Sequence, residues 1–134
     1  MTDHTDELNL DITPPVATIT INCPADMNRL NPVSLLELGE MVAALRKRDD
    51  VQAVVITGAG DDWFSAGLMN AEIRAGMTKD DVIDYVVNAN RILDDLETLP
   101  QITIAAINGK IMAGAAEVAL ACDIRIAGEH STLM

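Results

Sequence analysis

The 134 residues suffice for one domain with an ordinary core, and 49% hydrophobic against 22% charged residues is globular composition, not that of a disordered chain. Nine Lys and Arg against 21 Asp and Glu give a formal charge of -12, which repels nucleic acid and anionic membrane; aromatics at 2% leave no base-stacking surface. No apolar run approaches the roughly 20 residues that span a bilayer, the opening MTDHTDELNLD is unlike a signal peptide, and Cys23 and Cys122 lack disulfide or zinc spacing, so a soluble cytoplasmic protein is expected.

Val16 to Ile21 alternates apolar with small or hydroxyl residues and reads as a half-buried strand, ended by Asn22-Cys23-Pro24. Asn31 followed by Pro32 predicts a helix start, and Leu38, Met41, Val42 and Leu45 form its apolar stripe. Arg46-Lys47-Arg48 closes that helix with positive charge at its negative end. The β-branched run Val54 to Thr57 is a buried strand entering a Gly58-Ala59-Gly60 turn. Thr78 with Asp81 three residues on is a capping box, opening a helix whose apolar face is Val82, Tyr85, Val86, Ala89, Leu93 and Leu96, and which Leu99-Pro100 stops. Ile102 to Ile107 is a buried strand broken by Asn108-Gly109, Ala113 to Cys122 a helix, and Asp123 to Ala127 a final strand. Strands separated by helices of this length indicate a mostly parallel sheet and an α/β class.

Two stretches depart from the local rules and are candidate sites. In Trp63-Phe64-Ser65-Ala66-Gly67 the small pair at the end would let a ligand approach the backbone N–H groups, although this stretch taken alone reads rather as a plain surface turn. In Gly109 to Glu117, glycine at the first turn of an apolar helix leaves N–H groups pointing out of the positive end, suited to a developing oxyanion. That helix is apolar nearly all round and is expected to be buried on most sides. Glu117 is its one ionisable side chain, and a carboxylate there either faces a cavity or is solvated. There is no GxSxG elbow, no dinucleotide fingerprint and no phosphate loop; His4 and His130 read as surface residues, and no metal is expected.

A strand ending in TGAG, then WFSAG, then IAAINGKIMAGAAEVALACDIRIAG, together resemble the enoyl-CoA hydratase/isomerase family, the crotonases. The resemblance runs from about Val16 to the end of the sequence and is most specific between Ile104 and Gly128. It implies a crotonase-like ββα spiral core with a mostly parallel sheet, and binding of an acyl-CoA thioester whose oxygen two backbone N–H groups hold. By position those donors fall on Ala66 and Gly114, the catalytic carboxylate on Glu117, and the substrate-binding loop on Ala66, Gly67, Leu68 and Met69. Met69 stands where family members carry Asp, and Ala113 and Ala115 replace glycines common around the oxyanion turn.

The resemblance further implies hydration of a 2-enoyl-CoA, with no cofactor beyond coenzyme A as part of the substrate. Isomerisation, carbon–carbon bond hydrolysis, or acyl-CoA binding without catalysis are the competing readings. Family chains are about twice as long, so residues 1–134 are expected to be a single, truncated core domain lacking the C-terminal helical part and a second catalytic glutamate. The expected partners are the acyl-CoA substrate and either further copies, as a trimer or hexamer, or a completing second half; nucleic acid and membrane are not among them.

Overall fold

A computed structural model describes residues 7–134; His4 lies outside them. The elements in chain order are β1 (Leu8–Thr13), β2 (Val16–Ile21), α1 (Pro32–Leu45), β3 (Ala53–Gly58), β4 (Trp63–Ser65), α2 (Ala71–Ala75), α3 (Lys79–Glu97), β5 (Ile102–Ile107), β6 (Lys110–Ile111), α4 (Gly114–Ala121) and β7 (Ile124–Ala127). One five-stranded sheet runs in the order β1-β2-β3-β5-β7. Its β2, β3, β5 and β7 are parallel, and only β1 is antiparallel, folded back on β2 with Leu8 opposite Ile21. This is the α/β, mostly parallel architecture the sequence predicts.

The long elements form for the reasons read from the sequence. The Asn31 side chain accepts from the N–H groups of Val33 and Ser34, with Pro32 in the first turn, so α1 starts where the cap dictates. Thr78 and Asp81 make both halves of a capping box at the start of α3. On α1 the buried stripe is Leu35, Leu38, Val42 and Leu45. On α3 it is Tyr85, Ala89, Ile92 and Leu96, whereas Val86, expected on that face, is exposed.

The difference on α3 is one of phase. Positions 85, 89, 92 and 96 follow a 3.6-residue period, and Val86 lies a full residue off it. The core sits between the sheet and the α1–α3 pair, with Ile19, Ile56, Phe64, Leu30 and Leu96 fully buried. Arg46 does more than complement its own helix end: it donates to the carbonyls of Asp95 and Thr98, the free C-terminal acceptors of α3.

At the other edge, all four residues of β7 are exposed. Leu120 on α4, Ala127 on β7 and Leu133 line an open apolar groove of about 330 Å³, and Ile124 and Ile126 on the same strand are exposed outside it. The helix α4 is therefore not buried on most sides as its composition suggested. It buries Ala115, Val118 and Ala119 and leaves Leu120 69% exposed.

Candidate active site

The site lies beyond the carboxyl ends of the parallel strands, where open α/β sheets commonly bind ligands. There the chain leaves β3 and β5 and pairs again at once: β4 and β6 form a two-stranded parallel sheet, with Trp63 opposite Lys110 and Ser65 opposite Ile111. The Met112 N–H then donates to the Ser65 carbonyl at 3.1 Å. This small sheet carries the two sequence-predicted stretches side by side, residues 66–69 beyond β4 and the start of α4 beyond β6.

Two buried or half-buried asparagines brace it. Asn108 donates to the carbonyls of Gly58 and Gly60 and accepts from the Gly58 N–H, clipping the end of β5 to the turn after β3. Asn28 donates to the Ala59 and Trp63 carbonyls at 2.9 and 2.8 Å and accepts from the Cys23 N–H. Both Met27 and Asn28 have positive φ, 54° and 53°, which bends their segment toward the 66–69 loop.

Gly67 has φ +102°, and a Cβ there would stand 3.0 Å from the Met112 carbonyl oxygen and 3.2 Å from the Gly114 nitrogen. Glycine is thus required both by conformation and by the close approach of the two backbones. Gly114 opens α4, and a Cβ on it would lie 2.6 Å from Leu68 Cγ, so any side chain at 114 displaces Leu68. Loop and helix end are therefore in contact through Gly67, Leu68 and Gly114, as the sequence reading requires of an oxyanion site.

One assignment is corrected. The Ala66 N–H donates to the Met27 carbonyl at 2.9 Å, and Ala66 is buried, so this amide is engaged within the fold and not presented to a ligand. The Gly67 N–H is likewise taken, by the Ser65 hydroxyl at 3.1 Å. The next amide, that of Leu68, has no acceptor among the described residues, and neither has that of Gly114. First-turn helix amides have no intrahelical acceptor, which explains the second case.

Glu117 lies one turn into α4 on the exposed side and makes no ion pair among the described residues. It is solvated, the second of the two alternatives left open by composition. Leu68 and Met69 are half-buried beside the site. Ala113, immediately before the helix, adopts φ 51°, ψ -129°, a backbone conformation that side chains rarely take.

Three site-supporting residues escaped the sequence reading: Asn28, Arg29 and, in this role, Tyr85. Arg29 is 5% exposed and donates to the carbonyls of Ala66 and Met69. Tyr85 hydrogen-bonds to the carbonyls of Leu30 and Leu68, and burial pushes its phenol up to about 12. Burial also raises the Cys122 thiol to about 11, leaving it inert as a nucleophile at neutral pH. His130 is exposed and held by the Asn108 carbonyl at 2.8 Å. Among the described residues no group of three His, Cys, Asp or Glu could hold a metal, and no helix is long and apolar enough to cross a membrane.

The enoyl-CoA hydratase/isomerase family profile matches residues 11–134. The chain belongs to that family. It is 35% identical over 116 residues to the short-chain-enoyl-CoA hydratase of Clostridium acetobutylicum, covering 87% of this chain and 44% of that protein. Against the (E)-benzylidenesuccinyl-CoA hydratase of Thauera aromatica it is 36% identical over 124 residues, covering 92% of this chain and 48% of the relative. The crystal structure of an enoyl-CoA hydratase from Bacillus anthracis superposes with a TM-score of 0.89 at 36% identity, over 95% of this chain and 49% of that one. The crotonase-like core is thus shown, and the chain spans about half the length of the relatives it matches.

Proposed function

We propose that this chain binds an acyl-CoA thioester and polarises its carbonyl between the backbone N–H groups of Leu68 and Gly114. The observation that carries this reading is the pairing, across the close contact at Gly67, of two amides without acceptors among the described residues. Two such donors, with the positive end of α4 behind one of them, favour the charge that collects on a thioester oxygen during enolate chemistry. Leu68 here takes the role first given to Ala66, and Gly67, Leu68 and Met69 remain the residues beside which the substrate runs.

Glu117 is the proposed catalytic carboxylate. It stands three residues after Gly114, on the same side of one helical turn. In hydration of a 2-enoyl-CoA it would accept a proton from water as the water oxygen bonds to the β-carbon. The electron pair of the double bond moves through the α-carbon to the thioester oxygen; it returns as the α-carbon takes up the proton held by Glu117, which restores the carboxylate. Coenzyme A enters as part of the substrate, so no separate cofactor is invoked. The exposed apolar groove along β7, α4 and Leu133 supports association, either with further copies of this chain or with a completing polypeptide.

The test is spectroscopic and needs no turnover. Butyryl-CoA labelled with ¹³C at the thioester carbonyl cannot be hydrated, and on binding to the chain its carbonyl signal should move downfield from the free value. An unmoved signal at saturating chain, or no binding, overturns the proposal.

A further inference from the structure

We propose that Tyr85 and Arg29 are positioning residues for the thioester-polarising loop, their buried donors fixing its carbonyls and so setting the direction of the Leu68 N–H. The inference rests on the function just proposed and concerns what holds that amide in place.

Four consecutive carbonyls of the loop are anchored. Arg29 Nη1 donates to Ala66 at 3.1 Å and to Met69 at 3.3 Å, the Leu30 N–H donates to Gly67 at 2.9 Å, and the Tyr85 hydroxyl bonds Leu68. The bond to Gly67 is the one that aims the donor. A planar trans peptide points its C=O and N–H in opposite directions, so a Gly67 carbonyl held toward Leu30 turns the Leu68 N–H away from Leu30. Leu30 is itself held, because the same Tyr85 hydroxyl reaches its carbonyl at 2.9 Å. Tyr85 thus ties the aiming residue and the aimed residue to one oxygen atom on α3.

The chemistry of the two side chains suits the task. Tyr85 has one proton for two carbonyls, and with its phenol at about 12 that proton stays on through the physiological range. Arg29 brings a permanent charge beneath the loop, 5% exposed, its Nε 3.5 Å from the Asp26 carboxylate. A buried guanidinium is a costly way to fill space, whereas under a loop that must stabilise a developing negative charge it adds favourable potential. Neither residue touches the reacting atoms in this scheme.

The experiment uses the 134-residue chain, carbonyl-labelled butyryl-CoA, and the variants Tyr85→Phe, Arg29→Met and Arg29→Lys, each verified as folded by its melting transition. Misaiming one backbone donor should cut the downfield displacement of the bound carbonyl to about half or less, with affinity for free CoA within about twofold. Tyr85→Phe and Arg29→Met are expected to show that loss, and Arg29→Lys, which keeps charge and a donor, to recover part of it. A full displacement in folded Tyr85→Phe and Arg29→Met makes both residues merely structural and overturns the inference, leaving the thioester reading intact. Absence of displacement in the unsubstituted chain overturns both together. Should Tyr85→Phe fail to fold, the contrast between Arg29→Met and Arg29→Lys decides: equal displacement in the two is the overturning result.

Discussion

Replacing Ala113 by glycine should stabilise this chain, against the usual direction of such a change. Ala113 sits at φ 51°, ψ -129°, and a side chain held in such a region costs about 1–3 kcal/mol. Glycine removes that strain but adds freedom to the unfolded chain, worth about 0.4–1 kcal/mol. The residue is exposed, so losing its methyl group forfeits little buried surface, and glycine is also a better N-cap than alanine. The balance is a gain of about 0.5–2 kcal/mol, which for a domain between the small and medium size classes is roughly 2–8 °C in Tm. Urea denaturation read by the single tryptophan, Trp63, and a calorimetric melt both measure it. A loss of about 0.4–1 kcal/mol, the ordinary cost of alanine to glycine, would refute the claim that this backbone is strained.

Two further outcomes follow from the site. Glu117→Gln should leave stability within about 0.5 kcal/mol, because the side chain is exposed and unpaired among the described residues, yet in a full-length or partner-completed form lower hydration of a 2-enoyl-CoA by about 10²–10⁴ with thioester binding kept; a stopped-flow assay of that completed form showing undiminished hydration removes Glu117 from the mechanism. Alkaline stability should report Tyr85. Its folded phenol at about 12 lies above the unfolded value near 10, so the unfolded state releases its proton first; the stabilisation is whole below about pH 10 and is lost as pH rises to about 12. Cys122, raised from 9.0 to about 11, contributes in the same sense. Urea midpoints across this window should fall less steeply in Tyr85→Phe, and absorbance of tyrosinate at the chain's only tyrosine should rise late; ionisation near pH 10 in the folded protein contradicts the burial argument.

The long elements were legible because their signals are local. A cap at Asn31, a capping box at Thr78 and Asp81, and β-branched runs between breakers each act within a few residues, and each appears in the structure where it was read. β1 is not among the predicted strands although Leu8, Leu10 and Ile12 alternate with polar residues, because Asn9 and Asp11 between them continue the acidic, polar composition of the opening. β4 has three residues and β6 two, too short for any periodicity; what makes them strands is each other. The same holds for α2, five residues capped by Asn70. The phase error at Val86 has a related cause, since both Val86 and Ile92 are apolar and only packing against α1 selects between them.

The active-site assignment divides along the same line. The places of Gly114 and Glu117 on α4 were legible because a helix fixes what lies at its first position and what lies three residues on, whatever the rest of the fold does. Which loop amide faces the ligand is not a local property. Small residues at 66 and 67 correctly announced a close approach of two backbones, and Gly67 provides it. The choice between the Ala66 and Leu68 amides, however, is made by Met27, whose carbonyl takes up the first, and by Leu30, whose N–H turns the Gly67 carbonyl inward and the Leu68 N–H outward. Met27 can do so because it and Asn28 occupy positive φ, a bend that Asn28 secures through three hydrogen bonds. The amide proposed as the donor is therefore exposed by a turn far earlier in the chain than the loop that carries it, and on that proposal a substitution at Asn28 would disturb thioester binding without touching the ligand.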